Sequence, residues 1–216
     1  MKNVYIIRHG QTYINRFHKM QGWCDTPLTD KGIADAKRVG KVLAQVPFDI
    51  ALSSDMKRAS DTCDYIIQEN CNRDELQHIA SPFFREQFYG YFEGMDIGEC
   101  WEMIGGPHGC TTRGGMLRKY SIDEVKQFTK DADPFHAAES PEDYWQRVGK
   151  GFDLIRQLDG AENILLVTHG FNIRSWTDKF GGGKFDVSIP PRNGSITKMQ
   201  ITDKDIKITS YNQMKL

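Results

Sequence analysis

Two short apolar runs, each followed at once by His-Gly, constrain the fold of this 216-residue chain more than any other feature. Val4-Tyr5-Ile6-Ile7-Arg8-His9-Gly10 stands near the start, and Ile164-Leu165-Leu166-Val167-Thr168-His169-Gly170 near the end. Continuous Val- and Ile-rich runs of this length predict strands buried on both faces, as in a parallel sheet, with a His where each strand ends. In open α/β sheets ligands bind in the crevice beyond the carboxyl ends of the strands, so two distant histidines can converge on one site. The Gly after each lets the backbone turn sharply or lie close to a ligand.

Between the two runs the chain reads as repeated strand, turn and helix. Thr29 is the expected N-cap of a helix with Ile33, Ala36, Val39 and Leu43 on one face. Ile50-Ala51-Leu52 is a short strand, and Ser53-Ser54-Asp55 caps a helix with Met56, Ala59, Cys63, Ile66 and Ile67 as its apolar face. His78-Ile79-Ala80 is a third strand closed by Pro82, and Ser140-Pro141-Glu142-Asp143 starts a helix leading to the His169 strand. Phe171 to Phe180 is expected to be helical and to stop at Gly181-Gly182-Gly183, and Ser195–Ile201 with Ile206–Tyr211 forms an edge hairpin. Residues from about 93 to 139 break the rhythm with Gly105-Gly106-Pro107 and Gly114-Gly115, and read as an insertion over the sheet with one short helix at Asp123 to Lys130. Trp101, Met103 and Tyr120 are expected to pack this insertion onto the core. The order of elements predicts one domain over residues 1–216, a three-layer α/β/α sandwich on a mostly parallel sheet with an antiparallel edge strand.

Bulk properties narrow the function by exclusion. A formal net charge of −1 argues against adhesion to nucleic acid or acidic membranes, so anion chemistry must come from a local cluster. Met1 runs straight into the first strand without a signal-peptide pattern, and five cysteines form no CxxC pair, so a cytoplasmic location with reduced thiols is expected. Cys63 and Cys71 read as packing residues in a helix, whereas Cys24 falls in a loop near the first His. Oligomeric state leaves no signal.

Arg8 at the end of a buried strand needs an anion, and either a bound phosphate or an intrachain carboxylate supplies it. Arg58, one turn into the helix after Ser53-Ser54, can point back to the strand ends. His18, His78, His108 and His136 read as surface or packing residues, with His18 and His108 on loops that reach toward the pocket. No HExxH or clustered Asp/His spacing accompanies them, so neither a metal nor another cofactor is expected.

Five phrases in order, taken together, resemble the histidine phosphatase superfamily, which includes cofactor-dependent phosphoglycerate mutases, fructose-2,6-bisphosphatases and acid phosphatases. They are Arg8-His9-Gly10-Gln11-Thr12 with Asn15, Gln21-Gly22 with Asp25-Thr26-Pro27-Leu28-Thr29, Ser53 to Arg58, Phe84 to Gly94, and Thr168-His169-Gly170. The resemblance implies a phosphoglycerate mutase-like fold with His9 as the nucleophile that takes a phosphoryl group. It implies that Arg8, Arg58 and His169 grip the phosphoryl oxygens and that Glu86 protonates the leaving group. Asn15, Gln21, Gly22 and Gly170 are then expected around the substrate, and Arg113, among its glycines, either binds a second anionic group of the substrate or is a solvated loop arginine. Such a site suits the chemistry, because phosphoryl transfer asks for positioning and charge stabilisation rather than covalent work by many groups.

The same catalytic set serves hydrolysis and mutase transfer. Mutases of this family typically carry a paired-Arg phrase leading to prolines after the acid. This chain offers Arg113, Arg118 and Lys119 without it. A metal-independent phosphatase acting on a small phosphorylated metabolite is therefore the expected function. The alternatives are a 2,3-bisphosphoglycerate-dependent mutase and a phospholigand-binding protein without turnover.

Overall fold

The computed structural model describes residues 1–216. In chain order its regular elements are β1 (Lys2–Arg8), α1 (Tyr13–Arg16), α2 (Asp30–Leu43), β2 (Ile50–Ser54), α3 (Lys57–Ile67) and β3 (His78–Ser81). Then come α4 (Ile97–Gly105), α5 (Arg113–Lys119), α6 (Ile122–Ala132), α7 (Pro141–Arg156), β4 (Asn163–Thr168), α8 (Gly170–Phe180), β5 (Ile196–Ile201) and β6 (Ile206–Gln213). The strands make one sheet in the order β3-β2-β4-β1-β5-β6. β1 to β4 are parallel, β5 runs antiparallel to β1, and β6 pairs antiparallel with β5 as the expected hairpin.

Period-two alternation divides the strand side chains between two cores. Val4, Ile6, Leu52, Ile164 and Leu166 face Val148, Phe152 and Ile155 of α7 and Ile173 and Trp176 of α8. Ile7, Ala51, Leu165 and Val167 face Val39 and Leu43 of α2 and Ala59, Cys63 and Ile66 of α3. Helices therefore cover both faces, which gives the three-layer α/β/α sandwich. No helix is long and apolar enough to cross a membrane.

The helix starts bear on the site because they fix where the strand-end loops go. Thr29 accepts the Gly32 N–H at 3.1 Å and sets the start of α2. Ser140 and Asp143 form a capping box with Pro141 at the first helical position of α7. α3 starts one step later than the Ser53-Ser54-Asp55 reading predicts: Met56 is its N-cap and has no side-chain capping bond, while Ser54 Oγ accepts the Met56 N–H at 3.3 Å. Cys71 also departs from expectation, since it lies beyond the end of α3 and is exposed.

The 93–139 segment is more regular than its glycines imply. Besides the expected helix, now α6, it contains α4 and α5, and these three helices gather a third apolar cluster with Met20, Tyr89, Phe92 and Phe171. Trp101 is buried there and Tyr120 packs against it, but Met103 is exposed because it lies on the outer face of α4.

Candidate active site

Register brings the two His-Gly copies together. Arg8 pairs with Thr168 across adjacent parallel strands, so both histidines leave the sheet at the same level, with ring centroids 5.1 Å apart. The two glycines have different reasons. A Cβ at Gly10 would overlap the Gly32 carbonyl of α2, so this Gly permits close backbone packing beside the site. At Gly170 a Cβ would stand 3.2 Å from Arg8 Nε, so that Gly leaves room for the guanidinium.

Hydrogen bonds fix the tautomer of each ring. His9 Nδ1 lies 2.7 Å from the Gly10 carbonyl, which can only accept. The proton is therefore on Nδ1, and Nε2 keeps a free lone pair. His169 Nδ1 accepts from Arg58 Nη2 at 3.0 Å, and a guanidinium can only donate, so the His169 proton is on Nε2. That Nε2 is buried and has no partner in the protein. Burial holds both histidines neutral, well below the usual imidazole range, and the charges of Arg58 and Arg8 push the same way. One ring thus presents a base and the other a donor.

Arg58 is fully buried and acts from beneath the pocket. Its Nη1 donates to the Cys24 carbonyl at 3.0 Å and Asp25 Oδ1 at 2.9 Å, and its Nη2 also donates to the Gly22 carbonyl at 2.6 Å. The 22–24 loop is itself held by Glu93, whose two oxygens accept the N–H groups of Gly22, Trp23, Cys24 and Tyr89 at 2.9–3.0 Å. Gly22, expected at the substrate, instead uses its N–H on Glu93 and its carbonyl on Arg58, and it lies behind the pocket. The Cys24 thiol is pushed up to about 12 by burial and by Glu93, which makes it a poor nucleophile.

The pocket itself is lined by Arg8, His9, Asn15, Gln21, Glu86, Arg113 and Gly170, all expected, together with Lys19, Tyr89 and Arg174, which sequence reasoning missed. Arg8 donates Nη1 to the Pro191 carbonyl at 2.6 Å and has a buried, unpartnered Nε. Gln21 Oε1 is occupied by Thr12 and Asn15 at 2.7 and 3.0 Å, which leaves its buried Nε2 free to donate. Arg113 comes in from the start of α5, packs its guanidinium 4.9 Å from the Trp101 ring and 5.0 Å from the Phe171 ring, and has an unpartnered Nε. Arg174 lies four residues after Gly170 on the same face of α8, a spacing that could have revealed it. Burial, with Arg113 nearby, lowers it to about 10, and it is held by the Val187 and Ser188 carbonyls. His18 and His136 are exposed and His108 stacks on Phe128; none lines the pocket.

Glu86 faces these cations as a buried carboxyl. It accepts the N–H groups of Phe171 and Asn172 at 2.8 and 3.0 Å, at the start of α8, and its own Gln87 N–H at 3.1 Å. These donors favour the ionised form, as do Arg113 and Arg58, yet burial outweighs them and the carboxyl sits above its ordinary range. A neutral imidazole, several cationic donors and a buried carboxyl pushed above its ordinary range surround one small pocket, an arrangement that can stabilise the developing charge of a transferring phosphoryl group.

Comparison with known proteins gives the same reading. The sequence profile of the histidine phosphatase superfamily (branch 1) matches residues 4–113 and 109–214. The chain is similar to a 2,3-bisphosphoglycerate-dependent phosphoglycerate mutase of Rhizobium etli, 38% identical over 180 residues, covering 81% of this chain and 78% of the relative. Its fold is similar to the crystal structure of a phosphoglycerate mutase from Bacillus anthracis, with a TM-score of 0.90 and 31% identity over 99% of this chain and 93% of that one. A putative alpha-ribazole-5'-P phosphatase of Escherichia coli shares the fold at a TM-score of 0.69 and 19% identity, over 100% and 98% of the two chains. The fold is phosphoglycerate mutase-like, and the chain belongs to the histidine phosphatase superfamily.

Proposed function

We propose that this protein is a phosphomonoester hydrolase that acts on a small phosphorylated metabolite through a phosphohistidine at His9. The observation that carries the reading is the His9 ring itself, neutral, fixed by Gly10 through Nδ1, and open at Nε2 among Arg8 and the other cations. Nε2 attacks phosphorus as the bond to the leaving oxygen breaks. Glu86 gives that oxygen its proton, since an alkoxide leaves poorly without one. Arg8, Arg58 and the Nε2–H of His169 stabilise the equatorial oxygens. Water then attacks the phosphohistidine, Glu86 takes its proton back, and inorganic phosphate departs.

The rest of the metabolite faces an outer cleft of ≈ 550 Å³ that continues from the pocket past Arg113, Arg118, Arg174, Thr112 and Ser188. This lining suits a second anionic group, with Arg113 and Arg174 shared between the two spaces. The missing paired-Arg phrase favours hydrolysis. Phosphoglycerate mutase activity is the second reading, favoured by the names of the Rhizobium and Bacillus relatives.

A panel of phosphomonoesters, run beside a phosphoglycerate mutase assay containing 2,3-bisphosphoglycerate, separates the two. The hydrolase reading expects phosphate release from at least one ester, an acid-labile and base-stable adduct on the wild-type protein, and neither in His9→Ala. Isomerisation that outpaces phosphate release would establish the mutase instead, and full activity in His9→Ala would overturn the mechanism. Tight phosphoester binding without turnover across the panel would identify a binding protein.

A further inference from the structure

The backbone that carries Glu86 is held in an unusual way. Residues 83–86 run from the end of β3 to the carboxyl outside any strand, so their carbonyls have no sheet partners. Side chains from elsewhere serve all four. Arg147 of α7 donates Nη1 to the carbonyls of Phe83 and Arg85 at 3.1 and 2.9 Å and Nη2 to that of Glu86 at 3.2 Å. Asn172 Nδ2 donates to Phe84 and Arg85 at 3.0 and 2.8 Å, Thr168 Oγ1 to Phe84 at 2.8 Å, and Trp23 Nε1 to Glu86 at 2.9 Å.

Arg147 is the centre of this arrangement. Its remaining donors form a two-point bond to Glu139, Nε to Oε1 at 2.7 Å and Nη2 to Oε2 at 2.8 Å, so every N–H of the guanidinium is engaged. Glu139 in turn accepts the Phe88 N–H at 3.0 Å and donates its own N–H to the Phe88 carbonyl at 3.0 Å. The pair therefore grips the chain on both sides of Glu86. Its side chains are only 12% and 10% exposed, and neither residue lines the pocket. A buried charge pair is a weak source of net stability, because desolvation cancels much of the attraction. What this one supplies is geometry: a planar fork that sets three carbonyls at once, with the charge cancelled by Glu139 so that no bare cation is added beside the carboxyl.

We infer that Arg147 and Glu139 are positioning residues for Glu86, fixing where its carboxyl stands relative to the leaving-group oxygen. This rests on the reading of Glu86 as the proton donor. The consequence is selective. Displacing an acid by about 1 Å costs on the order of 100-fold in the step that uses it, whereas formation of the phosphohistidine from an ester whose leaving group needs no proton is indifferent.

The test compares kcat/KM on an alkyl phosphate with kcat/KM on p-nitrophenyl phosphate, a ratio that reports phosphohistidine formation and leaves out the hydrolysis step both esters share, for the wild type and for Glu86→Gln, Arg147→Met, Arg147→Lys and Glu139→Gln. Arg147→Met is expected to lose about 100-fold in kcat/KM on the alkyl ester but at most about threefold in kcat/KM on the aryl ester. Glu139→Gln, which keeps Arg147 and one acceptor oxygen, should show the same discrimination at about tenfold. Arg147→Lys should not restore the alkyl activity, since an ammonium keeps the charge but cannot span three carbonyls. Circular dichroism and Tm verify folding, and Glu139→Gln decides the matter if Arg147→Met does not fold. Equal loss on both esters, no loss, or a wild-type ratio in Arg147→Lys overturns the inference. If Glu86→Gln itself slows both esters equally, the proton-donor reading fails and takes the inference with it; if Glu86→Gln discriminates and the others do not, only the inference fails.

Discussion

Glu93→Gln removes one charge and changes almost no volume, yet it should disable the site from beneath. Oε1 of Glu93 accepts from Trp23 and Tyr89, and Oε2 from Gly22 and Cys24, so four backbone donors converge on one carboxylate. A glutamine can accept at one oxygen only and turns its NH₂ toward the other two donors. Two amide N–H groups then lose their acceptor. At about 1.5–3 kcal/mol for each bond to a charged group, reduced because Glu93 is only partly buried, the loss is about 2–4 kcal/mol. Urea unfolding should record it as a midpoint lowered by about 1–2 M. The effect should also reach the chemistry, because the same loop supplies the Gly22 and Cys24 carbonyls that hold Arg58, and Arg58 orients His169. The folded variant should therefore lose kcat/KM at urea concentrations well below its transition. Glu93→Ala, which admits water to the four donors, should be no worse than Gln. A midpoint within about 0.2 M of wild type together with unchanged activity would refute the reasoning.

Acid should destabilise the protein earlier than carboxylate titration accounts for. His9 and His169 are held well below 6.5 in the folded state by burial, whereas in the unfolded chain they titrate near 6.5, so stability is full above that value and falls as pH drops through it. Two such groups give a slope of about 2.7 kcal/mol per pH unit down to the folded-state values, and a His9→Asn/His169→Asn double variant that unfolds with the wild-type slope would contradict it. The two strand-end glycines should differ under the same substitution. Gly10→Ala drives a methyl group into the Gly32 carbonyl and should cost about 1–3 kcal/mol or more, while Gly170→Ala, 3.2 Å from a flexible guanidinium, should fold normally and raise KM by displacing Arg8. Thermal scans and steady-state kinetics on both check this, and similar Tm losses would show that the asymmetry is wrong.

Much of this architecture is legible in the sequence. The run of β4 is buried on both faces from Ile164 to Thr168, and that of β1 at Val4, Ile6 and Ile7 with Tyr5 partly buried, as a continuous apolar run implies. Thr29 and Ser140 announced their helices because capping is local chemistry. α4 and α5 were not legible: they span nine and seven residues and contain or border glycines, and their apolar side chains meet one another rather than the sheet. At the site Arg8, His9, Asn15, Gln21, Glu86, Arg113 and Gly170 are legible from the sequence, whereas the pocket-lining Lys19, Tyr89 and Arg174 and the supporting Glu93 are not. Glu93 lay in a matched phrase, but nothing local indicates that it collects N–H groups from two separate loops. Gly22 misled for the same reason, since its own contacts are made by partners distant in sequence.

The third apolar cluster divides the molecule into a part packed on the sheet and a part packed chiefly on itself. His9, Arg8 and His169 stand at the ends of strands whose packing involves both main cores, so alteration there disturbs the whole sheet. Arg113 and Arg118 stand on a small helix backed chiefly by its own cluster, joined to the rest through Met20, Tyr89, Phe92 and Phe171. Substitutions in α4 to α6 can therefore redraw the outer cleft while the strand-end hardware remains as it is. On the proposed function, a laboratory library confined to α4–α6 that keeps Arg113 should yield new substrate preferences without loss of the reaction.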